Sequence, residues 1–217
     1  MATGVRTTPP ATTQPWLVKR GAVGYWQELP LALAAGGAAL VTAIPLVVAI
    51  LAGTPGWLRA ITLVPPALAL TGLAEFAAAV ARGDRPRAAL LRRLDPVLAL
   101  LLAGGTALAG SGLAMGGTGT VAGAVIGAGL LLVFPSALAY GALRGRRGLA
   151  ALRGGAILVA YRPVWALTLV ALGCLGGFAI VASVGVLAPA ILPLLLTIAA
   201  TQTAGLLDEI DALQSHS

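Results

Sequence analysis

Charged and chemically reactive residues are scarce in this 217-residue chain. Asp, Glu, Lys and Arg together make up only 10% of it, and aromatic residues make up 5%. The single cysteine, Cys174, excludes a disulfide framework and a cysteine-ligated metal site. The single histidine, His216, lies outside every apolar run, so none is available for base catalysis within them.

Catalytic motifs are also missing. There is no HExxH pair, and no glycine-rich phosphate loop with a lysine follows a predicted strand. Ser111 stands in an Ala-Gly-Ser-Gly-Leu segment of an apolar run, but it has no histidine partner. We therefore predict that the chain is not an enzyme, and we predict no cofactor and no metal ion.

Apolar residues dominate what is present. They make up 59% of the chain, and the mean hydropathy is +0.96. Ordinary soluble domains contain roughly 25% charged residues, because their surfaces face water. An apolar run of about 20 residues is long enough to cross the hydrocarbon core of a bilayer as a helix. The composition therefore predicts an integral membrane protein in contact with lipid.

Six apolar runs of this length can be drawn along the chain. They predict an all-α polytopic membrane helix bundle of about six transmembrane helices with short cytoplasmic amphipathic helices. A five-span arrangement stays open, because only the weak breaker at 185–189 separates the last two runs. The runs are Leu31–Ala52, Trp57–Ala81, Pro96–Met115, Val121–Leu143, Pro163–Val186 and Ala188–Leu207.

The basic residues follow a pattern along the chain. All except Arg59 precede the first run or lie in the second and fourth gaps, at 82–95 and 144–162. Basic residues in short loops resist translocation, so these gaps and both termini are predicted to be cytoplasmic, in the cell membrane. A nucleic-acid-binding face would not place arginines at every second gap, so we predict no nucleic-acid partner.

Each arginine-rich gap is predicted to form a short amphipathic helix at the membrane surface. One interpretation is that these helices anchor and orient the protein in the bilayer. The other is that they dock a cytoplasmic partner, such as a transporter permease or ATPase subunit. The candidate docking residues are Arg85, Leu90, Leu91, Leu94, Arg147, Leu149 and Leu152.

Three domain assignments follow from composition. Residues 1–15 are rich in threonine and proline, which predicts a disordered tail. Residues 16–207 are predicted to form one transmembrane domain, and 208–217 a short acidic cytoplasmic tail.

A few residues inside the runs are candidates for substrate binding or ion pairing. Glu75 lies seven residues before Arg82, about 10 Å from the helix end at 1.5 Å per residue. It is a candidate for a substrate or proton site, or for an ion pair with Arg162. Pro65 and Pro66 predict a mid-span kink that frees backbone carbonyls. Gln202 is predicted to hydrogen-bond between helices or to contact substrate.

The segment at 130–172 resembles the YesL-like family of small bacterial membrane proteins, whose function is unknown. Phe134-Pro135 and Arg162-Pro163 stand at the family's aromatic-proline pair and at the start of its next span. The proline-containing stretch at 61–84 is similar to an earlier span of that family. The resemblance covers about 30–207 and implies a link to carbohydrate ABC transport. The family's aromatic-rich loop after the second span is replaced here by arginine, alanine and leucine.

The second gap is also similar to the coupling loop of ABC importer permeases. Gly83 and Pro96 have that loop's spacing of thirteen residues, although the usual acidic residue is replaced by Ala77. The leading hypothesis is therefore a non-catalytic component or accessory subunit of a transport system. The alternatives are a small-molecule-binding membrane module that captures substrate, and a structural or assembly protein that only packs against other spans.

Overall fold

The computed structural model describes residues 19, 22–23 and 25–214, with the exception of the side chain of residue 88. Helices dominate the described part of the chain, which contains no β-strand. The predicted tail at 1–15 lies outside the described residues. The α-helices, in chain order, are α1 (Leu29–Leu51), α2 (Gly56–Thr62), α3 (Val64–Arg82), α4 (Pro96–Met115), α5 (Thr118–Arg144), α6 (Leu149–Tyr161), α7 (Pro163–Ala182) and α8 (Ala188–Gln214).

Six of these helical segments are long and apolar enough to cross a membrane, with α2 and α3 together forming one of them. This confirms the predicted all-α polytopic bundle. The last two apolar runs are separate helices, because the chain turns between Ala182 and Ala188, where Gly185 has a φ of 83°. Helix α8 also continues beyond the predicted end of its span, so residues 208–214 are helical.

The second span, Gly56–Arg82, is interrupted close to its two adjacent prolines. The regular helix is broken at Leu63, between α2 and α3, and Pro65 and Pro66 lie in the first turn of α3. Proline suits this position because the first amide groups of a helix have no partner within the helix. Leu63 keeps right-handed helical backbone angles, so both helices belong to one span, and the kink at the prolines stays a prediction. Pro45, Pro135 and Pro193 do lie inside helices.

The first arginine-rich linker does not form an amphipathic α-helix. It contains only a five-residue 3-10 helix, Ala88–Arg92, and the chain on either side of it is extended or turned. Leu91 packs against buried side chains of α1 and α3, including Phe76 and Ala35. A β-carbon at Gly72 would lie 2.6 Å from the carbonyl oxygen of Leu91. The linker is thus folded into the bundle.

The second arginine-rich linker does contain a helix, the 13-residue α6. Its preceding residue, Gly148, donates its amide to Asp95 at the start of α4. The residue that follows α6, Arg162, forms an ion pair with Glu209 near the end of α8. Arg144 at the end of α5 also pairs with Asp211 of α8. Helix α6 therefore begins and ends at one end of the bundle, where both arginine-rich linkers meet.

Small residues allow the helices to approach one another closely. Added β-carbons would lie 2.0 Å from the carbonyl oxygen of Pro189 at Gly36, 2.6 Å from that of Ala109 at Gly123, and 2.5 Å from the backbone of Ala137 at Gly155. Helices in lipid gain little from the hydrophobic effect, so they associate through such close packing. Glycine thus sets the distances from α1 to α8, from α4 to α5 and from α5 to α6.

We expect Gly36→Ala to destabilise the protein by about 1–3 kcal/mol, because the new methyl group would overlap the backbone of α8. The matched control is Gly37→Ala, where an added β-carbon meets nothing within 4 Å. That change should be neutral or stabilising by up to about 1 kcal/mol, through helix propensity. Unfolding in mixed micelles measures both, and equal effects would contradict the proposed contact.

Candidate functional site

An apolar chamber of about 420 Å³ lies between five of the helices. Its walls come from α3, α4, α5, α7 and α8, and Thr106 supplies the only side-chain hydroxyl among the lining residues. Phe134 and Leu138 are buried at its wall on α5, and Leu169 faces it from α7. The volume lies within the range of about 300–1,000 Å³ that is usual for ligand pockets.

The chamber is only partly enclosed. All of its lining residues belong to helices that are long and apolar enough to cross a membrane. Its walls therefore lie at membrane depth, where the surroundings of the protein are hydrocarbon rather than water.

Two small or helix-breaking residues contribute to the chamber wall. Gly173 lines it without a side chain, and a β-carbon placed there meets nothing within 4 Å. Pro135 also lines it, from inside α5. Neither Pro65 nor Pro66 lines this chamber. The chamber could not be predicted from the sequence, because a cavity depends on how the faces of several helices come together, and no single segment records that.

A smaller polar pocket lies next to the chamber. The space in it that the centre of a water-sized sphere can occupy is about 10 Å³. Its polar lining residues include Gln202, Ser136 and Thr203. Gln202 is 1% exposed, and neither its amide nitrogen nor its amide oxygen has a hydrogen-bond partner in the described part of the chain. Leu169 lines both the chamber and this pocket, so the two spaces are neighbours.

Arg162 also lines the polar pocket. Its guanidinium donates a hydrogen bond to Glu209, and it lies 5.8 Å from the ring centroid of Trp165. The predicted pairing of Arg162 with Glu75 is therefore wrong. The partner was missed because Glu209 belongs to a segment that was predicted to be a tail rather than the continuation of α8.

Glu75 is half-buried in a cleft between α3, α4 and α5. Arg93, Arg146 and Arg147 line the same cleft, but none of the ion pairs in the described residues includes Glu75. Arginines of both linkers are thus brought close to Glu75, in a cleft that Asp95 also lines. Whether Glu75 binds a substrate or a proton stays a prediction.

Asp95, which was not a predicted site residue, joins the two arginine-rich linkers. Its side chain is an N-cap that accepts from the amide of Leu98 at 3.0 Å and from the amide of Gly148 at 2.6 Å. Its own amide donates to the hydroxyl of Thr71 at 3.1 Å. An aspartate directly before Pro96 is a recognisable helix-start signal, although the long-range contact to Gly148 could not be predicted from it.

The predicted docking residues differ in their accessibility. Leu90, Leu91 and Leu152 are half-buried. Arg85 and Arg147 are exposed, and so is Leu94. Leu149, at the start of α6, is 66% exposed. A partner at this end of the bundle would therefore meet the arginines, Leu94 and the start of α6 rather than Leu90 and Leu91.

Comparison with known proteins found no matching family model, no similar curated protein and no similar solved structure. The resemblance to the YesL-like family therefore stays a prediction.

We expect Asp95→Ala to destabilise the protein by about 2–4 kcal/mol, since it removes a helix cap and a hydrogen bond between linkers. The control is Asp84→Ala in the same linker. Asp84 is exposed and pairs with Arg82 at 3.4 Å, so its loss should cost less than about 1 kcal/mol. Thermal unfolding in detergent gives the comparison, and a mild effect of Asp95→Ala would contradict its role.

Proposed function

We propose that this chain is a non-catalytic membrane protein that binds an apolar small molecule in the chamber between α3, α4, α5, α7 and α8. The observation that carries the proposal is the chamber itself, with its volume of about 420 Å³ and its apolar lining. A protein that only packed against other spans would have no need of such a space. The bilayer is the proposed source of the ligand, because every wall of the chamber belongs to a helix that is long and apolar enough to cross a membrane.

The experiment fills the chamber with a side chain. Gly173→Phe should reduce labelling by a photoactivatable fatty acid or alkane about tenfold, because the ring occupies part of the ligand's volume. The purified full-length protein in nanodiscs is used, and mass spectrometry locates the labelled peptides. Folding should be preserved, since a β-carbon at this position meets nothing within 4 Å.

Gly177→Phe is the matched control. It lies one turn further along α7, is exposed, and also has no atom within 4 Å of an added β-carbon. It does not line the chamber, so labelling should stay at the wild-type level. Equal labelling of the two variants would count against a ligand in the chamber. Native mass spectrometry separates a bound lipid from a second copy of the chain in the same space.

We further propose that this binding serves a transport system, with the chain as an accessory or substrate-capture subunit. The support is the arginine-rich end, where exposed Arg147 and Leu149 flank the start of α6. That surface fits a cytoplasmic permease or ATPase subunit. The same variants test this role: cells with Gly173→Phe should show the uptake defect of a deletion strain, and cells with Gly177→Phe should not. A deletion strain with normal uptake across a panel of sugars and lipids would exclude it.

We infer that both arginine-rich linkers and both termini face the cytoplasm of a bacterial cell. Basic loops resist translocation, and contacts join the ends of α3, α5 and α8 at one end of the bundle.

Cysteine labelling tests this orientation. In a Cys174→Ala background, a membrane-impermeant maleimide should label Thr118→Cys in intact cells, because this residue is exposed at the opposite end. Asp84→Cys and Ala150→Cys should react only after permeabilisation. Labelling of the two linkers from opposite sides would refute the inferred topology.

A further inference from the structure

Gln202 is an unusual residue for the interior of a membrane helix bundle. It is 1% exposed, and both polar atoms of its amide lack a hydrogen-bond partner in the described residues. A buried amide without a partner is costly, and such a group in a folded protein calls for a specific explanation. The neighbouring hydroxyl of Thr201 shows the usual solution, since it donates to the carbonyl of Thr197 at 2.8 Å.

The pocket at Gln202 has the size of one small polar group. Its volume of about 10 Å³ for the centre of a water-sized sphere is close to the minimum that one water molecule needs. Ser136 and Thr203, both buried, add two hydroxyl groups to its lining. Together, an amide and two hydroxyls offer both donors and acceptors to a single occupant.

The pocket is also in the right place to meet a ligand of the chamber. Leu169 of α7 lines both spaces, and Gln202 of α8 and Ser136 of α5 lie on helices that also form chamber walls. A molecule with its chain in the chamber could place one polar group past Leu169 into the pocket. Arg162, which also lines the pocket, is paired with Glu209, so the pocket does not present an unpaired cation.

We propose that Gln202, Ser136 and Thr203 form the binding site for the single hydroxyl or carbonyl group of an amphiphile whose apolar chain occupies the chamber. This inference rests on the proposed function and names its ligand class: a long-chain neutral alcohol or ketone. The pocket favours one small polar group over a phosphate or sugar head group, because the space open to the centre of a water-sized sphere is only about 10 Å³. Water takes the place of the polar group when no ligand is bound.

The experiment compares two photoactivatable probes of equal chain length, a long-chain alcohol and the corresponding alkane, on the full-length protein in nanodiscs. The wild-type protein should prefer the alcohol about tenfold, as expected for a buried hydrogen bond that would otherwise leave a polar group unpaired. Gln202→Leu should remove this preference and leave alkane labelling unchanged. Gly173→Phe should reduce labelling by both probes.

Thr201→Val is the matched control. Its hydroxyl is buried on the same helix, bonds within that helix and does not line the pocket, so the preference for the alcohol should stay. Ser136→Ala and Thr203→Val provide a second measurement if Gln202→Leu does not fold. Each should lower the preference about threefold, through the loss of one hydrogen bond.

The outcomes separate this inference from the proposed function. If the wild-type protein binds both probes equally, or if Gln202→Leu keeps the preference for the alcohol, the proposed polar site is refuted. The proposal that the chamber binds an apolar molecule is then still supported. If the wild-type protein binds neither probe, both proposals fail.

Discussion

The structure depends on the absence of water from the hydrocarbon core. Backbone groups there must find partners inside the protein, so the chain crosses as helices, and the helices gain little by burying apolar side chains against each other. Close contact between backbones has to hold them together. Gly36, Gly123 and Gly155 provide it, because no side chain separates these backbones from the neighbouring helix.

The same constraint explains where the charges lie. Arginine side chains are costly to place in hydrocarbon, so most of them lie at the ends of alternate spans. There they form tertiary contacts. Arg144 pairs with Asp211, Arg162 pairs with Glu209, and Arg82 donates to carbonyl groups at the end of α5. Asp95 joins the two linkers through backbone amides rather than through an arginine. The arginine-rich end is therefore a connected platform, on which α6 is held at both ends.

The spans could be predicted from the sequence because each one is recorded locally, as a run of about 20 apolar residues. Features that depend on several segments could not. Leu91 looked like part of a surface helix, but it packs into the bundle because glycine at position 72 leaves room for its backbone. Arg162 was given the wrong partner, since its true partner, Glu209, is 47 residues away. Gln202 was singled out as a candidate because a polar residue in an apolar run is a local signal. The lack of hydrogen-bond partners for its amide is visible only in the packed structure.

The unpaired amide and the apolar chamber each need an explanation, and one explanation serves both. An apolar chamber alone would accept any hydrocarbon of the right size, including the acyl chains of the surrounding lipid, so it would select poorly. A site built to hydrogen-bond one group rejects a ligand that lacks it, because the site's buried groups are then left without partners. Gln202 is such a group, and it lies in a pocket that shares Leu169 with the chamber. Under the proposed binding function, the polar pocket would provide the selection against bulk lipid, and a polar group bound in it would offset the cost of burying Gln202.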